Sequence, residues 1–215
     1  MNRKTCDLKI GFSAINKLIL EGFYSRAGPG ELPVDKRDKI LHGMIVPGYS
    51  YGSSSIALAW AYKELAESQL PDVYIILGRD IFSKNMFSTY LFSHWETCFG
   101  VVKVDENYGR ELIKLFPLVR NSAEAFKDNT FIDWQLPMLQ FSNKNSLDRI
   151  YILPILVGNA TYEDICSFAD VVSDSSKNIC VIASANLTYY GKGHDAVPFV
   201  YGVKHGIALK DQEFL

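Results

Sequence analysis

One stretch of this chain, Met44–Leu65, constrains the fold more than any other. It opens with the apolar run Met44–Pro47, which is typical of a fully buried strand, and continues through a loop of small residues, Gly48–Ser55. A serine of this loop is expected to cap the helix that follows, whose apolar face has helical spacing. That face comprises Ala57, Ala61 and Leu65, with Ile56 and Trp60 beside them. Strand, loop and helix start together predict the corner where an open α/β sheet holds its ligand.

Buried strands alternate with helices along the rest of the chain. An amphipathic pattern predicts a helix over Thr161–Val172, capped by Thr161. The predicted strands are Gly43–Pro47, Val73–Leu77, Arg149–Val157 and Ile179–Ala183. Pro154 inside one of them predicts a bulge or kink, because proline lacks a backbone donor. This alternation predicts an α/β fold with a mostly parallel central sheet flanked by helices. With no repeat and no linker, residues 1–215 are expected to form a single domain.

Other segments give shorter elements. Residues 1–20 are expected to form a helical or partly loose lead-in, and Phe23–Gly30 a loop. The remaining predictions are strands at Phe87–Phe92 and Phe99–Val104, and helices at Tyr108–Phe116 and Asp133–Phe141.

Composition excludes several classes of function. A net charge of −2 and a pI of about 6.1 provide no electrostatic attraction to nucleic acid or anionic lipid. The four cysteines form no CxxC pair and no zinc-like spacing, which predicts reduced, buried thiols. Because the first 20 residues are too charged for a signal peptide and no apolar run is long enough to span a membrane, a cytoplasmic location is expected.

Seven segments occur in an order that resembles the Memo family. They are Gly22–Pro29, Ile45–Pro47 with Ser55–Lys63, Val73–Gly78, Thr97–Asp105, Asp133–Pro137, Leu153–Gly158 and Val181–Gly191. Members of that family look like the catalytic subunit of class III extradiol dioxygenases. The match over about residues 20–200 implies the same α/β fold, with a cleft at the carboxyl ends of the strands.

The resemblance also implies metal ligands at the strand ends, and there this chain departs from the family pattern. Gly48 follows Ile45–Pro47 where the family has a histidine, and Arg79-Asp80-Ile81-Phe82 replaces a histidine-bearing turn. The other vacated positions are Asn129-Thr130, Asn186 and Tyr189. The sequence also ends short of the family segment that carries a cysteine. Because a redox metal site needs several converging donors, we expect no metal and no cofactor.

Some polar and aromatic residues remain near the predicted cleft. As an acid–base pair, His194 and Asp195 are candidates for catalysis, with Asp80 as a further candidate, although a solvated loop is the simpler interpretation. The candidate cleft residues are Gly48, Tyr49, Tyr51, Arg79, Asp80, Asn186, Tyr189 and Tyr190. The tyrosines are expected at the rim, where they suit a packed pocket or a protein-binding surface.

Three hypotheses follow. The first is a Memo-like pseudoenzyme that acts by binding, as a homo-oligomer (a symmetric dimer above all) or with a protein partner. The second is an enzyme with altered, metal-independent acid–base chemistry in the same cleft. The third is a non-haem iron or copper redox enzyme completed by a partner. The sequence specifies no small-molecule ligand.

Overall fold

The computed structural model describes residues 2–5, 7–33, 38–48, 51–81 and 85–186, apart from the side chain of Ser53. Residue contacts divide the chain into Met1–Ala185 and Asn186–Leu215, and every element named below belongs to the first unit. The strands are β1 Arg3–Lys4, β2 Gly43–Pro47, β3 Val73–Arg79, β4 Phe87–Thr89, β5 Trp95–Thr97, β6 Gly100–Val104, β7 Val119–Asn121, β8 Tyr151–Val157 and β9 Ile179–Ala185. The helices are α1 Asp7–Ile10, α2 Phe12–Tyr24, α3 Tyr51–Glu67, α4 Glu106–Leu115, α5 Leu136–Ser142 and α6 Tyr162–Ser173.

The strands of this unit form one mostly parallel sheet in the order β1-β5-β6-β8-β3-β9-β2. Strand β4 lies beside β8, and β7 pairs with β4. Only the β5–β6 and β4–β8 pairs are antiparallel among the described strands. The α/β class and the mostly parallel sheet are therefore confirmed, whereas the single-domain assignment over residues 1–215 stays a prediction.

Strand β2 has the predicted bounds but not the predicted burial. It is the last strand in the sheet order, and Ile45 at its centre is 51% exposed while Val46 is buried. Both β2 and β3 pair in parallel with β9, so the predicted parallel strand–helix–strand unit is present with β9 between its two strands. The expectation of a fully buried strand was wrong because β2 lies at the edge of the described sheet.

Helix α3 begins earlier and faces differently than predicted. It starts at Tyr51, so Ser54 and Ser55 lie inside the helix and cannot cap it. Its buried side carries Leu58 and Tyr62 together with Leu65, at spacings of three and four residues. Ala57 and the predicted neighbours Ile56 and Trp60 are exposed. The buried residues of this helix also include Tyr51, Ala59 and Ala66.

Helix α6 confirms its prediction, including the cap. Thr161 Oγ1 accepts a hydrogen bond from the Asp164 backbone N–H, and the Asp164 carboxylate accepts one from the Thr161 N–H. This reciprocal pairing satisfies two backbone donors that the helix itself leaves unbonded. Phe168 of this helix is buried against the core.

Pro154 produces no bulge in β8. The β3–β8 register runs from Tyr74↔Ile152 to Arg79↔Val157 without an extra residue, and Pro154 lies opposite Ile76. The Pro154 carbonyl accepts a hydrogen bond from the Thr89 hydroxyl at 2.8 Å. The proline therefore lies where β4 ends, and its missing donor does not interrupt the ladder with β3.

The N-terminal lead-in contains a strand that the sequence did not reveal. Arg3 and Lys4 pair in parallel with Trp95 and Glu96 of β5, which was also missed. Neither strand exceeds three residues, too few for a recognisable period-two pattern. In the described part of the chain no helix is long and apolar enough to cross a bilayer, and the thiols of Cys98, Cys166 and Cys180 are free.

Candidate functional site

The carboxyl ends of three parallel strands meet at one edge of the sheet. Pro47 lies opposite Ala185, and Leu77 lies opposite Ala183. Just beyond β2, the Gly48 N–H donates to the Ala185 carbonyl at 3.0 Å. The predicted arrangement, with β2, β3 and β9 ending on the same side, is confirmed. This edge is where an open α/β sheet binds its ligands.

A segment from elsewhere in the sequence lies across these strand ends. Residues 129–135, named the strap, bridge the ends of β3 and β2 through side-chain hydrogen bonds. At one end the Asn129 side-chain amide donates to the Arg79 carbonyl at 2.7 Å. At the other end the Gln135 amide donates to the Pro47 carbonyl at 3.0 Å. The strap thereby satisfies backbone acceptors that parallel strands leave free where they end.

Gln135 links four parts of the chain and is fully buried. Besides Pro47, its amide donates to Ser184 Oγ at 3.0 Å, and its side-chain oxygen accepts from the Tyr62 hydroxyl at 3.1 Å. Ser184 Oγ in turn donates to the Phe131 carbonyl at 2.9 Å. Each of these buried polar groups has its hydrogen-bond partner within the protein instead of in water. The network therefore stabilises the buried strand ends.

The ring of Phe131 fills the corner between two strand ends. A methyl group built on Gly48 would lie 2.7 Å from Phe131 Cδ1, and one built on Gly78 would lie 2.8 Å from Phe131 Cβ. Real side chains do not approach this closely. While Phe131 is in place, glycine is therefore the only residue that fits at either position without a shift of its neighbours. Gly48, Gly78 and Ser184 are together named the strand-end corner.

Two buried tyrosines of α3 donate hydrogen bonds to residues of the strap. The Tyr51 hydroxyl donates to the Trp134 carbonyl at 2.6 Å, and the two rings make an edge contact at 5.5 Å between centroids. Desolvation by burial raises the pKa of Tyr51 and of Tyr62 well above the ordinary value for a tyrosine. Both hydroxyls therefore stay protonated and act as donors. Tyr51, expected at the cleft rim, instead belongs to the core.

The other predicted site residues fall into two groups. Arg79 and Asn186 are exposed at the ends of β3 and β9, while Asp80 is buried and its N–H donates to the Val157 carbonyl. The remaining candidates lie outside the described residues: Tyr49, Tyr189, Tyr190, His194 and Asp195.

The described donor set does not fit a redox metal. Within residues 2–186, where the structure describes them, no group of three His, Cys, Asp or Glu side chains converges. Around Phe131 the polar groups are an amide, a serine hydroxyl and backbone carbonyls. Iron and copper sites are built from imidazoles, thiolates and carboxylates. Among the described residues, the corner therefore lacks the set of donors that such a metal needs.

Phe131 and Gln135 were missed as site residues by sequence reasoning. They lie more than 80 residues from Pro47 in the chain, and only the Asp133–Pro137 motif and the vacated positions Asn129-Thr130 pointed to this region. A further signal was present in Gly48 and Gly78. Glycine at the end of a buried strand is typical of a place where another part of the protein approaches closely.

A second feature of this unit is an open apolar groove of about 870 Å³ between α6 and one face of the sheet. Its floor and wall include Leu77, Phe168, Val172, Ile179 and Val181. His42 and Lys177 lie at its margin, and Lys177 makes an ion pair with Asp105 at 3.2 Å. This feature is named the α6–β9 groove.

The fold and the corner define a class of protein: an α/β protein with a mostly parallel sheet whose ligand-holding edge is occupied by its own chain. Comparison with known families makes this more specific. A family profile described as Memo-like protein matches residues 13–215. The chain belongs to the Memo-like protein family, in agreement with the resemblance of its motifs.

Curated relatives agree with this membership. The chain is similar to a MEMO1 family protein of Saccharolobus solfataricus, with 31% identity over 179 residues, and to one of Pyrococcus furiosus, with 29% over 160 residues. A MEMO1 family protein of Methanopyrus kandleri shares 28% over 184 residues. These matches cover 78%, 72% and 84% of the chain but only 61%, 55% and 65% of the relatives. The chain thus spans less than two thirds of their length.

Proposed function

We propose that this chain is a pseudoenzyme of the Memo-like family that acts by binding a protein, most simply a second copy of itself. One observation carries the proposal. The Phe131 ring packs on Gly48, the position at which the family resemblance implies a histidine ligand. The half-buried ring occupies the space beside position 48 that a ligand side chain and its metal would need.

The surrounding hydrogen bonds support a permanent rather than an accidental filling. Asn129, Gln135 and Ser184 hold the strap at both strand ends, and each of them is buried. Opening the corner would leave several of these groups to be rehydrated at once. Phe131 is therefore a structural part of the edge that related proteins are expected to use for chemistry.

Metal content tests the pseudoenzyme proposal directly. The purified full chain, loaded separately with Fe²⁺, Cu²⁺ and Zn²⁺ and then dialysed, is expected to retain far less than one metal per chain by plasma mass spectrometry. The double variant Gly48→His with Phe131→Ala is the matched comparison, because it restores one donor and removes the ring. One metal per wild-type chain, lost on mutation of residues at the strand ends, would overturn the proposal.

The α6–β9 groove supports binding as the mode of action. Its apolar lining and the exposed Ile165, which is 44% accessible, give a patch that a second copy can cover. In a symmetric pair one patch serves both subunits. Light scattering at micromolar concentration is expected to give about twice the 24.2 kDa mass of the chain. A monomer at that concentration, with no co-purifying protein, would contradict self-association. A cytoplasmic location belongs to the same proposal.

The two enzymatic alternatives require more. A metalloenzyme completed by another subunit needs Phe131 to leave Gly48, since a donor from a partner has to reach the same space. Metal-independent acid–base chemistry rests on His194 and Asp195, with Asp80 as the described member. No described contact favours either alternative over binding.

A further inference from the structure

The strap is also held by Arg3, which belongs to β1 at the opposite end of the sheet order from β2. Arg3 of β1 directs its guanidinium to the Phe126 carbonyl at 2.6 Å and to the Asn129 carbonyl at 3.3 Å. The same nitrogen lies 3.8 Å from Asp133 Oδ1. Arg3 therefore contacts the residues that lead into the strap and two residues within it.

The guanidinium occupies a built position rather than a surface one. Its carbon lies 4.6 Å from the centre of the Trp95 ring and 5.8 Å from that of Tyr90, and the Arg3 side chain is 14% exposed. A planar cation between aromatic rings and carbonyl oxygens is a strongly oriented arrangement. Lys4, next along β1, is exposed and provides a natural control.

Strand β1 contributes few hydrogen bonds to the sheet ladder. It is two residues long, lies at the end of the sheet order and pairs with β5 alone among the described strands. Its flanking backbone bonds run from Arg3 N–H to the His94 carbonyl and from Thr5 N–H to the Glu96 carbonyl. A two-residue strand at the end of a sheet has few ladder bonds to break, so its contact with the strap depends on the Arg3 side chain.

A continuous series of contacts connects β1 to the strand-end corner. Arg3 holds the Asn129 carbonyl, the Asn129 side chain accepts from the Phe131 N–H at 3.1 Å, and Phe131 packs on Gly48. We propose that β1 is a latch on one end of the strap: seated Arg3 holds the Phe126 and Asn129 carbonyls, and release of β1 lets this end open more often, while Gln135 keeps the other end on β2. This conformational device is independent of whether the protein is a pseudoenzyme.

Hydrogen exchange followed by mass spectrometry tests the latch in the full chain. In Arg3→Ala, peptides that cover Phe126 and the Asn129 end of the strap are expected to exchange about tenfold faster, because hydrogen bonds from a charged donor to two carbonyls are lost. Peptides from the middle of α3 are expected to exchange as in the wild type. The Lys4→Ala variant is expected to leave the strap unchanged, and Arg3→Lys, which keeps the charge without the planar fork, to give an intermediate rate.

Two outcomes would overturn the latch. One is an unchanged exchange rate in the strap of Arg3→Ala, and the other is an equal acceleration in all peptides, which would indicate general destabilisation. If Arg3→Ala does not fold, exchange of the wild type in increasing urea decides the question. Residues 2–5 and the Asn129 end of the strap are then expected to open together and before α3, and separate opening of the two segments would contradict the proposal.

Discussion

The strand-end corner and the α6–β9 groove belong to the same sheet, yet they are completed in opposite ways. In the corner a ring from the strap fills the space and every named polar group has a protein partner. In the groove apolar side chains of β3, β9 and α6 face about 870 Å³ of open volume. Filling and hydrogen bonding make a region stable by itself, whereas exposed apolar surface is stabilised by a covering partner. The groove is therefore the surface at which the proposed binding is best tested.

The largest effect is expected at Gln135. The change Gln135→Leu removes partners from Tyr62, Ser184 and the Pro47 carbonyl, all at a buried position, and should lower the free energy of unfolding by about 3 kcal/mol. Urea denaturation followed by circular dichroism measures it. Gln69→Leu, at an exposed glutamine, is the control, with an expected change within about 0.5 kcal/mol. Equal effects at both positions would show that the corner is not held by its polar network.

A smaller loss is expected when the corner is overfilled. Gly48→Ala brings a methyl group against the Phe131 ring and should destabilise the protein by about 2 kcal/mol in the same measurement. Gly52→Ala is the matched control, because nothing lies within 4 Å of its added carbon; at the second residue of α3 the expected change is within about 0.5 kcal/mol. Adding Phe131→Ala to Gly48→Ala should remove the clash, and strictly additive penalties would mean that the two residues do not touch.

Ser184→Ala is expected to cost less still, about 1–2 kcal/mol, because one buried hydroxyl that both donates to Phe131 and accepts from Gln135 disappears. Thermal denaturation of this variant and of Ser173→Ala compares a buried with an exposed serine. A shift in midpoint no larger than that of Ser173→Ala would remove Ser184 from the network.

The smallest stability effect is expected in the groove. Ile165→Lys places a charge on an exposed position of α6 and should change the free energy of unfolding by no more than about 0.5 kcal/mol. Self-association, measured by light scattering, should nevertheless be lost. Leu115→Lys on α4, at 60% exposure, is the matched control and should leave association intact. If both variants or neither dissociate, the groove is not the contact surface.

Patterns within one element were predictable from the sequence. The bounds of β2 and the cap of α6 followed from an apolar run and from Thr161 three residues before Asp164, both of which are local signals. The position of the buried face of α3 was not local. It depends on Tyr51 and Tyr62 reaching Trp134 and Gln135, residues more than 70 positions away.

The candidate site was predictable in place but not in content. The strand ends were predicted at Pro47, Leu77 and Ala183 and lie at Pro47, Arg79 and Ala185, on one edge because parallel strands of a sheet end together. What occupies that edge comes from a segment without regular structure of its own, and its contacts are made by single side chains. No periodicity announces such contacts, although glycine at two strand ends was a sign of close approach.

The contact between Phe131 and Gly48 also limits which sequences lie one substitution away from this one. Any side chain introduced at position 48 meets the ring, and loss of the ring alone leaves a cavity without supplying a donor. A histidine at position 48 becomes tolerable only after Phe131 has changed, so the order of substitutions matters. Any route to a donor at this edge therefore passes through a less stable intermediate, so the packing of one aromatic ring restricts the order in which such substitutions can accumulate.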